Sequence, residues 1–168
     1  MIKYSEAKEE DILGMIQVMR DTGYADLRYG KKSDLEIKKI ILASGWTFLI
    51  CYEENPKLII GYFIYSSVKE CFEEEREFIS FDNKYAAHRG IGILKKFRGK
   101  KYGRGLTEYG LEKIKESYPG IYADVASDNH ISINFHKKLG FETLGEFESS
   151  FRKEGVKNIV IVKHFKKK

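Results

Sequence analysis

A chain of 168 residues with 30 Lys+Arg against 25 Asp+Glu, a formal charge of +5 and a sequence pI near 9.0 is long enough for one domain with its own core and is only mildly basic. Apolar runs such as 46–52 and 58–65 fall far short of the roughly 20 residues that span a bilayer, and residues 1–6 lack the apolar core of a signal segment. The chain therefore reads as a single-domain cytoplasmic protein (1–168) without a membrane partner.

In chain order, a strand at 1–5 precedes a helix near 9–21. A second helix over 33–43 carries Leu35, Ile40 and Leu42 behind a Ser33 or Asp34 cap. Strand-like runs at 46–52 and 58–67 flank Glu53-Glu54-Asn55-Pro56-Lys57, a hairpin turn by length and by its Asn-Pro step. Cys51 lies in the first of these runs and reads as core packing. Cys71 has no histidine or cysteine at metal spacing, so neither a disulfide nor a metal site is expected; a lone catalytic thiol there is the weaker alternative, with nothing nearby to activate it.

The acidic residues Glu70, Glu73, Glu74, Glu75 and Glu77 follow, either a solvated helical face or a wall that draws a cationic amine. Tyr24, Arg28 and Tyr29, near the first helix, are further candidates to line an acceptor cleft.

A strand near 85–95 then feeds an amphipathic helix through Lys-Lys-Phe-Arg-Gly-Lys-Lys-Tyr-Gly-Arg-Gly. In the helix, Leu106, Gly110, Ile114 and Tyr118 recur every four residues, Leu111 widens the stripe, and Tyr118-Pro119-Gly120 ends it. Such a junction aims unpaired backbone N–H groups, a helix dipole and fixed cations at one spot, which suits a phosphate. A Walker loop is excluded because Lys101 follows Gly99-Lys100 where Ser or Thr is required. A dinucleotide fingerprint is excluded because Lys95 stands where a third glycine should follow Gly90-Ile91-Gly92.

A strand at 121–126 leads to a second capped helix within 127–141. Ser127, Asp128 and Asn129 offer caps, Ile131, Phe135 and Leu139 form one face, and Gly140 suits the C′ position. A terminal hairpin near 143–152 and 157–166 completes the order. Alternating strands and helices indicate an α/β layer fold.

The two segments, in this order and at this separation, resemble the two signatures of the GNAT acetyltransferases. In the first, Arg/Gln-x-x-Gly-x-Gly/Ala, Ile93 matches the strand end, Arg98 the leading residue, Gly103 the last glycine and Leu106 the helix leucine. Lys101 takes the place of the penultimate glycine, where a left-handed backbone costs a non-glycine residue roughly 1–2 kcal/mol. A register starting at Lys100 supplies Gly103 and Gly105 but puts Glu108 at the leucine position, so the first is preferred. In the second signature, Asn-x-x-Ala-x-x-Phe/Leu-Tyr-x-Lys-x-Gly-Phe, Asn129, Phe135, Lys138, Gly140 and Phe141 match, Ser132 replaces the alanine, and His136 replaces the tyrosine. The N-terminal strand and helix agree as well.

The resemblance implies a mixed, mostly antiparallel central sheet flanked by helices on both faces. It also implies acetyl-CoA as cosubstrate without a metal, and direct attack of a primary amine on the thioester through a tetrahedral intermediate. By the same likeness, Arg98, Gly99, Lys100, Lys101, Tyr102, Gly103 and Arg104 would cradle the pyrophosphate, and the backbone of Ile91 and Ile93 would pair with the pantetheine arm, with an N–H near Ile93 as oxyanion donor. Asn129 would bond that arm or simply cap its helix. His136 would protonate the leaving thiolate, its rival reading being a surface histidine one step off the apolar stripe; an imidazole of pKa roughly 6.5 donates more readily at neutral pH than a phenol of roughly 10. His88, at the start of the strand before the loop, and Asp124, in mid-strand where a carboxylate would be partly buried, are the candidate bases, with a water chain as a third.

The acceptor would be an amine-bearing small molecule or peptide, and the likeness suggests a homodimer. Two other readings come from the residues. Lys101 and His136 suggest a CoA-binding protein with impaired catalysis. The basic tail 163–168 suggests a nucleic-acid binder, against which stand the small charge excess and the lack of any zinc, RNA-binding or heptad signature.

Overall fold

The computed structural model describes residues 1–67, 78, 84–148 and 152–165. The acidic cluster of 70–77, Cys71, residues 149–151 of the predicted hairpin and the last three residues of the basic tail lie outside the described residues.

Strands β1 (Ile2–Glu6), β2 (Thr47–Glu53), β3 (Leu58–Ser67), β4 (Ala86–Ile93), β5 (Gly120–Ala126), β6 (Glu142–Glu148) and β7 (Lys157–His164) form a seven-stranded sheet in the order β1-β2-β3-β4-β5-β7-β6. Antiparallel pairing joins β1 to β2, β2 to β3, β5 to β7 and β6 to β7, whereas β4 and β5 run parallel. The sheet is thus mixed and mostly antiparallel, and helices α1 (Ile12–Thr22), α2 (Tyr24–Tyr29), α3 (Asp34–Ala43), α4 (Tyr102–Ile114) and α5 (His130–Lys138) accompany it. No helix among the described residues is long and apolar enough to cross a membrane.

The chain divides into two compact units, 1–66 with 89–113 and 67–88 with 114–168. In the first, Met15, Ile16 and Met19 of α1 and Ile37 and Ile41 of α3 pack with Phe48, Ile50, Tyr62 and Ile64 of the sheet, all essentially removed from water. Arg20 ties three helices together by bonding Asp26 of α2, Asp34 of α3 and the Lys32 carbonyl. Ser33 is the cap of α3, in a reciprocal box with Glu36. Helix α2 falls between the helices expected near 9–21 and 33–43, where no element was expected. The structure separates it because Gly23, at φ 80, ends α1 and restarts a helix of six residues.

In the second unit, Ala87, Tyr122, Val160 and Val162 form the core with Tyr85 and Phe147 against them. β4 and β5 pair through Ala86↔Ile121 and Ala87↔Tyr122, and β7 lies along the whole of β5.

Helix α5 corrects an expectation. Ile131 is 86% exposed and Phe135 and Leu139 are only half-buried, whereas His136 is 3% exposed. The helix therefore turns the Ser132/His136 side inward rather than the stripe chosen from apolarity. The physical reason is that His136 satisfies a ring nitrogen within its own helix, so it can be buried as an aromatic among Phe135 and Phe141.

Candidate active site

The first unit carries the anion-binding turn. β4 ends at Ile93, a 3-10 turn over Lys95–Phe97 follows, and α4 starts at Tyr102. The left-handed residues of the turn are Gly99 at φ 78 and Lys101 at φ 64. Glycine takes that conformation freely, whereas lysine pays roughly 1–2 kcal/mol for it, so Lys101 is a strained residue at the helix entry.

Its carbonyl accepts the first helical bond from the Gly105 N–H, which makes Lys101 the N-cap in effect. A lysine side chain has no acceptor to give the helix. The N–H groups of Tyr102, Gly103 and Arg104 thus keep their donors for a ligand, under the positive end of the α4 dipole. Lys96, Arg98, Lys100 and Lys101 surround these donors in sequence and are exposed, as is Arg104, which pairs with Glu108 at 2.8 Å. Phe97 lies 5.3 Å from the Lys96 ammonium and 5.4 Å from that of Lys100. The residue chemistry fits a pyrophosphate.

Helix α4 can lie close to the sheet because Gly105 and Gly110 present no side chain. A Cβ at Gly105 would stand 2.4 Å from the Tyr4 hydroxyl, and one at Gly110 2.9 Å from the Phe63 ring. Leu106, Leu111 and Ile114 are buried as the periodicity requires, although the helix ends at Ile114, before Tyr118.

The backbone of β4 has two edges. Leu94 N–H donates to the Ile60 carbonyl of β3, so alternate residues Arg89, Ile91 and Ile93 direct their backbone groups the other way. On that outer edge side chains meet the carbonyls: Tyr24 donates its hydroxyl to the Arg89 carbonyl at 3.1 Å, and Arg98 Nε donates to that of Ile93 at 3.1 Å. Ile91 lies between these two contacts.

Sequence reasoning did not find Asp21. From the end of α1 its Oδ2 accepts the Lys95 N–H at 2.8 Å and fixes the start of the basic turn. It also passed over Trp46 and Arg89. The guanidinium of Arg28 lies 4.9 Å from the Trp46 ring centroid and that of Arg89 5.5 Å, with Arg89 Nε donating to Ser66 Oγ at 2.9 Å. The lone tryptophan of the chain was the available signal.

The second unit brings together two histidines that are far apart in sequence. The rings of His88 and His136 have centroids 5.6 Å apart and planes inclined at 54°. His136 Nδ1 lies 2.8 Å from the Ser132 carbonyl, an acceptor only, so Nδ1 carries the hydrogen and Nε2 the lone pair. Nε2 is buried with no hydrogen-bond partner among the described residues. Burial pushes the imidazole below its ordinary pKa, against the smaller raising effect of the Ser132 bond, and keeps it neutral at pH 7.

Asp124 is only partly buried and engages Arg152 at 3.3 Å, while Arg152 also bonds Asn158. Asn129 caps α5, accepting the Ser132 N–H at 3.1 Å through Oδ1, which leaves its amide hydrogens for another partner. Among the described residues no cluster of three or more His, Cys, Asp or Glu is arranged to hold a metal. Cys51 is buried and its thiol pushed up to about 12 by desolvation, which makes it an inert core residue.

A mixed sheet of this strand order, flanked by helices, is a fold shared with solved acetyltransferases. The acetyltransferase (GNAT) family profile matches residues 17–141, and the chain belongs to that family.

Solved structures share the fold. The Streptococcus mutans UA159 protein smu.2055 superposes with a TM-score of 0.74 at 23% identity over 96% of this chain and 98% of its own. The Salmonella typhimurium protein yncA, a putative acetyltransferase solved with acetyl-CoA, gives 0.72 at 16% identity over 97% and 93%. Ribosomal-protein-alanine N-acetyltransferase from Brucella melitensis gives 0.72 at 20% over 97% and 99%. No curated protein matches the chain.

Proposed function

We propose that this protein transfers an acetyl group from acetyl-CoA to a primary amine by direct attack. The observation that carries the reading is the turn after β4, where a strained, non-capping Lys101 exposes the N-terminal donors of α4 among exposed cations. Family membership supplies the reaction class, and the Salmonella relative, solved with acetyl-CoA, supports that cosubstrate.

In the reaction the amine, as R-NH3+, first loses one proton; its nitrogen forms a bond to the thioester carbon and the C–S bond breaks. A second nitrogen proton ends on the CoA thiolate, so acetyl-CoA and R-NH3+ give the amide, CoA-SH and H+. The residues 98–104 hold the phosphates, the outer backbone edge of Ile91 and Ile93 pairs with the amide-bearing arm, and a backbone N–H near Ile93 stabilises the oxyanion. The Asn129 amide hydrogens are proposed as a further contact to the arm.

The roles of the histidines follow from their protonation. A neutral imidazole with a bare Nε2 accepts protons, so we assign His136 the part of an acceptor rather than the acid expected from its sequence position, with His88 beside it. Asp124, held by Arg152, is the weaker candidate base.

Thiol release from acetyl-CoA in the presence of amines tests the reading. Amine-dependent thiol release at a stoichiometry of one amide per thiol is the expected result, and His136→Phe should lower kcat with acetyl-CoA affinity retained. Wild-type turnover in that variant would remove His136 from the mechanism.

A further inference from the structure

The turn between β4 and α4 carries a side-chain cluster that is separate from the main-chain donors of the helix. Phe97 closes the 3-10 turn Lys95–Phe97, and its ring has the Lys96 ammonium over it at 5.3 Å and that of Lys100 at 5.4 Å. The Tyr102 ring, at the start of α4, stands 6.4 Å from that of Phe97 and is inclined to it at 45°. Both rings are half-buried, whereas Lys96 and Lys100 are exposed.

The backbone shapes this cluster before any ligand arrives. Asp21 accepts the Lys95 N–H at 2.8 Å, the Phe97 N–H donates to the Leu94 carbonyl at 2.8 Å, and the Arg98 N–H to that of Lys95 at 3.2 Å. Gly99, at φ 78, takes the left-handed step after which Lys100 lies back over the ring that Lys96 already approaches. Neither ammonium makes an ion pair or a hydrogen bond among the described residues. Two like charges held against one ring repel each other, and an anion that bridges them removes that repulsion.

A dianion does so best. A phosphate monoester, whose second ionisation lies near pH 6, carries close to two negative charges at pH 7 and three acceptor oxygens. Lysine binds such a group as a point charge, without the planar geometry that a carboxylate rewards in arginine.

On the acetyl-CoA reading proposed above, on which this inference rests, the cofactor brings such a group. Two of its phosphoryl groups form the pyrophosphate, assigned to the main-chain donors of α4. The third is a monoester on the 3′-oxygen of the adenosine ribose. The pantetheine arm is proposed to leave the pyrophosphate along the outer edge of β4, past Ile93 and Ile91, so the adenosine leaves from the opposite end of the pyrophosphate and needs cations that the arm does not pass.

We infer that Lys96, Phe97 and Lys100 form a subsite for the adenosine 3′-phosphate, which makes this protein selective for the 3′-phosphorylated cofactor over its dephospho form. The two ammonium groups clasp the monoester. Phe97, braced by Tyr102, is a positioning residue that holds both of them at one place. Lys100 then serves two phosphates, the pyrophosphate through the turn its main chain builds and the monoester through its side chain.

The experiment titrates the intact protein calorimetrically with CoA and 3′-dephospho-CoA, and with adenosine 3′,5′-bisphosphate and ADP. Removal of the 3′-phosphate should weaken binding of the coenzyme about tenfold or more, the worth of a charge-assisted contact. Lys96→Met and Lys100→Met, which keep an apolar stem and lose the charge, should each lower the ratio of the two affinities at least threefold, and the double variant should bring it near one. Phe97→Leu changes no charge and should lower the ratio several-fold. Lys101→Met removes a cation of the same turn that does not approach Phe97, and should leave the ratio within about twofold of wild type.

Equal affinity for CoA and 3′-dephospho-CoA, a wild-type ratio in the double variant, or an equal fall in the ratio with Lys101→Met would each overturn the subsite, the last by showing a general charge effect. Failure of both coenzymes to bind, with adenosine 3′,5′-bisphosphate preferred over ADP in a Lys96-dependent way, would instead overturn the acetyltransferase reading and leave the subsite standing. Failure of all four ligands would overturn both.

Discussion

Arg98 Nε donates to the main-chain carbonyl of Ile93 at 3.1 Å, joining the first residue of the basic loop signature to the last residue of β4. The bond folds the turn back on its own strand. It also occupies an acceptor on the edge proposed for the pantetheine arm, so Arg98 shapes the loop and is proposed to serve the phosphate cradle as well. Arg98→Lys, which keeps the charge and loses the planar donor, should weaken acetyl-CoA by several-fold, and Arg98→Ala by about 10- to 100-fold, the worth of one or two charge-assisted contacts. Calorimetry on the two variants checks the ordering; wild-type affinity in both would mean that the side chain does neither job.

Lys101 stores strain that glycine would release. Lys101→Gly should raise stability by up to about 1 kcal/mol, a gain limited because glycine also makes the unfolded chain more flexible. The same change removes one cation and should weaken acetyl-CoA several-fold, so stability and affinity should move in opposite directions. Denaturant midpoints and calorimetry on one preparation measure both, and a destabilised variant would contradict the strained geometry.

Asp21 is predicted to matter although it lies 74 residues before its partner. Asp21→Ala strips the Lys95 N–H of its acceptor at the start of the basic turn. A loss of about 1 kcal/mol in stability and a several-fold loss of acetyl-CoA affinity are expected, read from urea unfolding and from calorimetry. Unchanged values in both would show that the turn holds itself.

His136 sets a pH dependence of stability. Its folded pKa is below the ordinary 6.5 because burial disfavours imidazolium. Between the folded value and 6.5 the unfolded chain binds a proton that the folded chain refuses, so stability rises with pH across that window. The contribution is complete above about pH 6.5 and is lost below it at up to about 1.4 kcal/mol per pH unit until the folded pKa is reached. His136→Phe, which keeps an aromatic ring beside Phe135 and Phe141, should flatten the difference between urea midpoints at pH 7.5 and 5.5. An unchanged difference would mean that another group governs it.

The fold was legible in the sequence where one physical signal dominated. The four-residue stripe of Leu106, Gly110 and Ile114 located α4, the cap at Ser33 or Asp34 located the start of α3, and the two family segments announced the mixed sheet. The second helix signature was legible as a helix but not in its orientation. Apolarity favoured Ile131, whereas burial went to His136, because a ring nitrogen bonded to Ser132 makes that histidine affordable inside. Long-range contacts left no mark: nothing in the letters joins Asp21 to Lys95, Tyr24 to Arg89, or His88 to His136, since each depends on how strands and helices are brought side by side. The left-handed backbone of Lys101, by contrast, was readable from a glycine-requiring position filled by lysine.

Residues 98–104 are proposed to bind the phosphates of acetyl-CoA. Calorimetric titration of acetyl-CoA into wild type and into the Arg98→Ala, Lys100→Ala double variant, at near-physiological salt with ATP and a short DNA duplex as controls, tests it most directly. The prediction is selective binding of acetyl-CoA in the micromolar range, at about −8 kcal/mol, weakened at least tenfold in the double variant. Equal affinity in the two proteins, no binding of acetyl-CoA by wild type, or tighter binding of the duplex would contradict it.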